Sequence, residues 1–101
     1  MEFLVTFEVD SRRLVESDLA ARERERGHQL RDQGILKRIW RLPGRNAHIA
    51  LYSLRDATEL DLILRSLPLQ PFAEISVTPL ATHPLEGGMV PAGVDSPLKI
   101  T

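Results

Sequence analysis

Glu23 is the residue whose type and spacing are best suited to chemistry. It follows Leu19 by four positions and precedes Leu30 by seven, so helical periodicity puts it on the apolar stripe that faces the rest of the fold. A carboxylate there is costly unless it is hydrogen-bonded, and desolvation raises its pKa toward the range of a general base. The alternative is a slightly rotated helix, in which Glu23 pairs at the rim with Arg22, Arg24 or Arg26.

Trp40 and Arg41 form a second candidate pair. Successive strand residues point to opposite faces of a sheet, so only one of the two can face the helices. A guanidinium beside a pocket can bind a carboxylate through two parallel hydrogen bonds. The alternative for Arg41 is a surface ion pair.

Three histidines lie on different elements: His28 on a helix, His48 on a strand and His83 in a loop. No two have the spacing of metal ligands, so we expect no metal site. His48 alternates with Ala50 and Tyr52, whereas Ala47, Ile49 and Leu51 form an apolar set on the other face. We therefore expect His48 to be an ordinary sheet-surface histidine, with a proton donor as the alternative.

Composition limits the classes of protein that remain. The chain has 101 residues, which suits one domain, and it has no cysteine for a disulfide or a thiolate metal site. No apolar run approaches the roughly 20 residues of a membrane span, and MEFLVTFEVD has an alternating pattern unlike that of a signal peptide or an anchor. We expect a cytoplasmic protein that does not bind membranes. Aromatic residues make up only 5%, so the core is modest and oligomerisation is expected.

The net charge of −1 conceals an uneven distribution. Residues 12–45 carry ten basic and five acidic side chains, so this segment has a charge of +5 and the remainder −6. The near-neutral total argues against a dominant contact with nucleic acid. The basic segment is either a solvated helix face with neighbouring strand ends or a site where arginines bind an anionic small molecule.

Hydrophobic periodicity predicts the elements that position these residues. Strands are predicted over residues 2–9, 35–42, 47–54 and 72–78, and helices over residues 15–33 and 56–66. Pro43-Gly44-Arg45-Asn46 has the composition of a hairpin turn. The order β-α-β-β-α-β indicates an α+β, ferredoxin-like antiparallel sheet with two helices on one face. The other face is then free to meet a second copy of the chain.

Local signals define the ends of these elements. Ser11 or Ser17 is expected to cap the first helix, Gly34 to follow its end, and Asp56 or Thr58 to cap the second. The stripe of the first helix also includes Val15, and the second helix is expected to bury Leu60, Ile63, Leu64 and Leu67. Residues 1–83 are predicted to be a single domain, and residues 84–101 an irregular tail rich in proline and glycine.

The same order of elements also builds the RNA-recognition motif, which needs stacking aromatic rings on a central strand. The corresponding strand here is AHIALYSL, in which Tyr52 is the only ring. This sequence therefore argues against single-stranded RNA as a partner.

Several short motifs follow one another along the chain. They are Gly34, Ile39-Trp40-Arg41, Gly44, Leu67-Pro68-Leu69 with Pro71, Val77-Thr78-Pro79-Leu80 and His83-Pro84. With this order and spacing they resemble the muconolactone isomerase family, from the opening EFLV to His83-Pro84. Glu23 matches a glutamate of that family's helix, which lies seven residues before a leucine and eleven before a glycine, here Leu30 and Gly34.

The resemblance implies a subunit of the dimeric α/β-barrel type that forms a closed homo-oligomer, a decamer built from dimers. It also implies a cofactor-free isomerase of aromatic-compound catabolism, which moves a proton within a five-membered unsaturated lactone bearing a carboxymethyl arm. Glu23 is then the base and proton shuttle, and Arg41 holds the substrate carboxylate or the enolate oxygen. Trp40, His48 and His83 are expected to contact the substrate.

One segment departs from the family's pattern. Where the classical members have a stretch like H-Y-A-N-Y-S, this chain has Arg45-Asn46-Ala47-His48-Ile49-Ala50, so His48, Ile49 and Ala50 replace an asparagine, a tyrosine and a serine. Two further hypotheses follow. One is a related enzyme acting on a different lactone or enol, such as a dehalogenase, cyclase or lactonase. The other is a non-catalytic oligomeric ligand-binding protein, in which Glu23 is shut off from solvent or neutralised by a salt bridge.

Overall fold

Four strands and two long helices follow one another in the predicted order. The computed structural model describes residues 1–10, residue 12 and residues 17–87. Its elements are β1 (Glu2–Val9), α1 (Ser17–Asp32), β2 (Leu36–Arg41), β3 (Ala47–Ser53), α2 (Ala57–Arg65), a 3₁₀ turn (Gln70–Phe72), β4 (Ala73–Leu80) and the single-turn α3 (Pro84–Gly87). The prediction of an α+β, ferredoxin-like fold is confirmed.

The strands form one antiparallel sheet in the order β2-β3-β1-β4. β1 lies in the middle, where Phe3 is opposite Tyr52 of β3 on one side and Pro79 of β4 on the other. β2 is an edge strand with an irregularity between Leu36 and Arg38. Because β2 pairs with β3 and lies under α1, these three elements can enclose a site between them.

The core lies on one face of the sheet. Phe3, Val5, Phe7 and Val9 are all buried, as their alternation predicts. Both helices contribute to the same apolar cluster, α1 through Leu30 and α2 through Leu60 and Leu64, with Ile63 packed against them. Leu67 also joins the cluster, as predicted, but it lies in the turn after α2. The helices therefore cover the face that carries the β1 phenylalanines, and the opposite face is left open.

The predicted helix ends are largely confirmed. Gly34 has a φ of +76° just after α1, a backbone conformation that glycine adopts readily. Asp56 caps α2, because its Oδ1 accepts a hydrogen bond of 2.8 Å from the Glu59 N–H. Ser17 is already the first residue of α1, while Ser11 and Val15 lie outside the described residues.

Gly27 lies in the middle of α1, where glycine destabilises a helix by roughly 1 kcal/mol relative to alanine. Gly27 does not have a positive φ; among the described glycines, Gly34 and Gly44 are the two that do. Tertiary packing, above all of the fully buried Leu30, compensates for this weak position.

The chain after α2 differs in two ways from the prediction. β4 runs to Leu80, two residues further than predicted, and includes Pro79; a proline is tolerated there because β4 is an edge strand. Pro84–Gly87 forms a turn of helix, so the expectation of irregular chain is wrong for these four residues. Residues 88–101 lie outside the described part, and the domain boundary after residue 83 stays a prediction.

Candidate active site

A cavity of about 270 Å³ lies between α1 and the sheet. α1, β2, β3 and the turn after α2 contribute its lining, which consists of Glu23, Arg24, Gly27, His28, Arg31, Leu36, Ile39, His48, Tyr52 and Leu67. Its volume is near the lower end of the range for small-molecule sites, roughly 300 to 1,000 Å³. The wall combines an apolar floor with polar groups, as expected for a site that orients a small ligand.

Glu23 faces this cavity from α1 and is half-buried. Its Oε1 accepts a hydrogen bond of 2.9 Å from the backbone N–H of Leu69. Burial raises the pKa of the Glu23 carboxyl above its usual range, and the Leu69 hydrogen bond acts in the opposite direction with a smaller effect. The prediction that Glu23 lies on the sheet-facing stripe is confirmed.

The alternative, an ion pair between Glu23 and a neighbouring arginine, is wrong. Arg22 Nε lies 3.3 Å from Asp18 Oδ2 instead. Arg26 donates hydrogen bonds to Ser66 Oγ at 3.0 Å and to Gln29 Oε1 at 3.1 Å. Within the described residues no cation pairs with Glu23, so its carboxylate is held by a neutral backbone group.

The turn that supplies the Leu69 N–H is set by its two prolines. Pro68 and Pro71 have no N–H to donate. The N–H groups of Gln70 and Phe72 donate to the carbonyls of Leu67 and Leu69 within the turn. The Leu69 N–H therefore remains free to donate to a group outside the turn, and Glu23 accepts its hydrogen bond.

His48 and Tyr52 lie on the helix-covered face of β3, opposite Phe7 and Phe3 of β1. The His48 ring stacks on Phe7 with centroids 5.2 Å apart and planes inclined by 12°. Burial, with a smaller contribution from the Arg41 charge, lowers the pKa of His48, so its ring is neutral at physiological pH. Burial, with a smaller contribution from Glu23, raises the pKa of Tyr52 to about 12 and keeps its hydroxyl protonated.

The expectation that His48 lies on the exposed surface of the sheet is therefore wrong, because His48 lies on the helix-covered face. Alternation suggested that Ile49 and Leu51 form the inward set, but the structure buries Ala50 and Tyr52. Both faces of β3 carry apolar residues, so alternation alone could not identify the inner one. Pairing with β1 decides it, because Tyr52 is opposite the buried Phe3.

Arg41 and Trp40 point to opposite faces, as predicted. Arg41 is opposite His48 and shares the helix-covered side, whereas Trp40 is opposite Ile49 on the open face. The guanidinium carbon of Arg38 lies 5.2 Å from the Trp40 ring centroid. The sheet therefore lies between Trp40 and the cavity of its own subunit. The expectation that Trp40 contacts a substrate is wrong for that cavity.

His83 lies outside the lining of the cavity. It is exposed, and its Nδ1 accepts a hydrogen bond of 3.1 Å from the Leu85 N–H at the start of α3. Of the five predicted site residues, the structure brings Glu23 and His48 together and places Arg41 beside His48. It brings neither Trp40 nor His83 to them.

Eight lining residues were not predicted for the site, and four of them have polar side chains: Arg24, His28, Arg31 and Tyr52. Arg24, His28 and Arg31 follow one another at spacings of four and three along α1, so the sequence did carry a signal, a second stripe beside that of Glu23. Tyr52 shares the strand parity of His48, but its burial depends on pairing with β1.

Among the described residues, no three histidine, aspartate or glutamate side chains converge as metal ligands do. The described helices include none that is long and apolar enough to cross a membrane.

The sheet, its two helices and the Glu23 carboxylate, which faces the cavity from α1, define a ferredoxin-like α+β subunit with a small-molecule pocket. The family model for muconolactone delta-isomerase matches residues 1–86. The chain is 37% identical over 67 residues to the muconolactone delta-isomerase of Cupriavidus pinatubonensis, covering 66% of this chain and 73% of the relative. It is 37% identical over 70 residues to muconolactone delta-isomerase 1 of Acinetobacter lwoffii, covering 69% and 73%.

A crystal structure of muconolactone isomerase superposes with a TM-score of 0.73 at 27% identity, covering 83% of this chain and 92% of the other. The chain belongs to the muconolactone delta-isomerase family.

Proposed function

We propose that this chain is an isomerase that shifts a proton within a small unsaturated lactone bearing a carboxymethyl arm, as part of aromatic-compound catabolism. The observation that carries the proposal is Glu23: a half-buried carboxylate in a cavity of small-molecule size, fixed by a backbone N–H. A carboxylate whose pKa is raised by burial is a stronger base than a solvated one, and membership of the family points to the same chemistry.

The reaction needs one group that both removes and returns a proton. Glu23 takes the proton from the ring carbon that bears the arm, and the electron pair moves through the ring onto the carbonyl oxygen as a dienolate. The protonated Glu23 then gives the proton to the carbon next to the carbonyl, which moves the double bond and restores the carboxylate. Because Oε1 accepts the hydrogen bond from the Leu69 N–H, Oε2 is the oxygen that takes and returns the proton.

The dienolate needs hydrogen-bond donors near its oxygen, and His48 and Tyr52 are suited to this role. Both line the cavity, and both carry a proton at physiological pH while remaining uncharged. Donors that are already oriented in a partly desolvated site stabilise developing negative charge without reorganisation.

The carboxymethyl arm needs a cation. Arg41 is the candidate that the family resemblance implies, and its place beside His48 on the helix-covered side supports it. Arg24 and Arg31 line the cavity itself, and neither forms an ion pair within the described residues. Glu23 is the only acidic side chain of the described lining, so the electrostatics favour an anionic substrate.

A different lactone or enol substrate is the second candidate. His48 favours it, because it lines the cavity at a position where the family pattern has an asparagine. The ligand-binding alternative receives less support, because Glu23 borders an accessible cavity and has no ion pair within the part of the chain that the structure describes.

We further propose that the open face of the sheet binds a second copy of the chain, within a larger homo-oligomer in the cytoplasm. This face carries Leu4, Ile49 and Leu51, all partly exposed, together with Trp40 at 43% exposure. Light scattering at micromolar concentration tests the assembly. A monomer for both the wild-type chain and Trp40→Glu would contradict it, whereas dissociation of the variant alone supports this face as the interface.

Proton exchange tests the activity directly. Incubation of the wild-type chain with the unsaturated carboxymethyl lactone in deuterated water should shift the double bond, as followed by ultraviolet absorbance. NMR should find deuterium on the carbon next to the carbonyl in those turnovers in which the proton on Glu23 exchanges with solvent before it is returned. Turnover of only another lactone from a panel would favour the second candidate. Absence of both exchange and turnover across the panel would refute the isomerase proposal.

A further inference from the structure

Gly27 occupies the position one helical turn after Glu23, on the same face of α1, and lines the same cavity. A glycine in a helix interior has three structural explanations: a backbone conformation that other residues avoid, a close neighbour that leaves no room for a side chain, or space needed by something else.

The first two explanations do not apply. The φ of Gly27 is not in the positive range that favours glycine. A methyl group built on Gly27 has no protein atom within 4 Å apart from its immediate surroundings in the helix, so packing within the subunit leaves room for alanine. The protein therefore keeps a residue that weakens α1 at a position where alanine fits both the backbone and the neighbouring side chains.

We propose that Gly27 is a specificity-determining residue: its missing side chain keeps the cavity beside Glu23 open for the ring of the substrate. A methyl group at this position projects from the wall that carries the carboxylate. Leu36, Ile39 and Leu67 supply apolar lining to the cavity, so the ring can pack against this lining beside Gly27, where an added methyl would meet it. This inference rests on the proposed function, because it takes a small lactone as the occupant.

The test is Gly27→Ala, with Glu25→Ala as the matched control. Glu25 lies two residues away on α1, is exposed and does not line the cavity. We expect Gly27→Ala to raise the melting temperature by roughly 4 to 8 °C, because alanine favours the helix. We also expect kcat/KM for the lactone to fall about 10- to 200-fold, the range for one misplaced methyl group in an apolar pocket. Glu25→Ala should keep the wild-type kcat/KM.

A purely structural role for Gly27 would not change selectivity, so two substrates are compared. The ratio of kcat/KM for the parent lactone to that for a ring-methylated lactone should rise in Gly27→Ala, because the larger ring meets the new methyl first. Binding of the saturated carboxymethyl lactone, which lacks the conjugation for proton transfer, should weaken in parallel when measured by calorimetry.

The outcomes separate this inference from the proposed function. An active Gly27→Ala variant with unchanged kcat/KM, binding and selectivity would overturn the role of Gly27 and leave the isomerase intact. A lower melting temperature for Gly27→Ala would also overturn it, because packing would then be what requires glycine. A wild-type chain that neither binds the saturated lactone nor turns over the unsaturated ones would refute the proposed function, and the Gly27 inference with it.

Discussion

Replacing Glu23 by glutamine separates its role in chemistry from its role in the fold. The glutamine side chain keeps an oxygen that can accept the 2.9 Å hydrogen bond from the Leu69 N–H, but it cannot remove a proton. A general base contributes about 10²- to 10⁴-fold to a rate, so we expect kcat to fall roughly 10³-fold, or about 4 kcal/mol in the barrier. Deuterium exchange into the lactone should fall by the same factor.

The stability of the same variant should not fall. A hydrogen bond to a charged acceptor is worth about 1 kcal/mol more than one to a neutral acceptor, so this contribution weakens. Relief from burying a charge acts in the opposite direction, and it is the larger effect, because burial rather than the hydrogen bond sets the direction in which the pKa of Glu23 moves. We therefore expect the melting temperature of Glu23→Gln at pH 7 to equal or exceed that of the wild type.

The pH dependence gives an independent check on this reasoning. Since the pKa of Glu23 is raised in the folded state, its favourable contribution to stability is complete below the unfolded-state pKa and is lost as pH rises through the folded-state value. The gain of Glu23→Gln over the wild type should therefore shrink as pH falls from the folded-state pKa to the unfolded-state pKa, and should stay constant at lower pH. Wild-type activity should likewise fall with decreasing pH, starting above the usual range of a solvated glutamate.

Glu25→Gln is the matched control, because Glu25 is exposed on the same helix and does not line the cavity. It should keep wild-type turnover. Exchange and turnover by Glu23→Gln within tenfold of the wild type would refute the assignment of Glu23 as the base. A marked loss of stability at pH 7 would refute the balance between burial and the hydrogen bond.

Three further substitutions test the donor and the fold. Tyr52→Phe should lower kcat roughly 10²-fold, as expected for loss of one donor to a developing oxyanion, without shifting the melting temperature by more than a few degrees; an unchanged kcat would remove the hydroxyl from the mechanism. Asp56→Ala removes the acceptor of the 2.8 Å hydrogen bond from the Glu59 N–H and should lower the free energy of unfolding by about 1 kcal/mol, measured by thermal unfolding. Equal melting temperatures for Asp56→Ala and Asp56→Asn would contradict a capping role. Leu30→Ala leaves a cavity at a fully buried position and should cost about 3 to 5 kcal/mol in denaturant unfolding. Its control, Leu62→Ala, changes a residue that is 64% exposed and should cost less than about 0.5 kcal/mol. Similar costs for the two variants would contradict the described core.

The sequence predicted the elements of this fold because each carries its own local signal. β1 alternates without ambiguity, Gly34 and Asp56 mark helix ends, and the stripe of α1 puts Glu23 on the inner face. These features depend on spacing within one element, which can be read without knowing what lies opposite.

The rest of the site depends on pairing between elements. β3 has apolar residues on both faces, so only its register against β1 shows that His48 and Tyr52 face inward. The partner of Glu23 was equally hidden, because a backbone N–H 46 residues away carries no side-chain signal in a sequence. The family resemblance implies a substrate contact for Trp40, but its strand parity puts Trp40 on the open face of the sheet, away from the cavity.

The Leu69 hydrogen bond also gives the protein a built-in reporter. Protonation of Glu23 weakens the acceptor at Oε1, so the NMR signal of the Leu69 amide proton should move upfield and its exchange with solvent should quicken as the carboxylate titrates. The charge state of the proposed base can therefore be followed at an atom that takes no part in the chemistry. A ligand that enters the cavity and changes the proton affinity of Glu23 should shift the same resonance, even when it is not turned over.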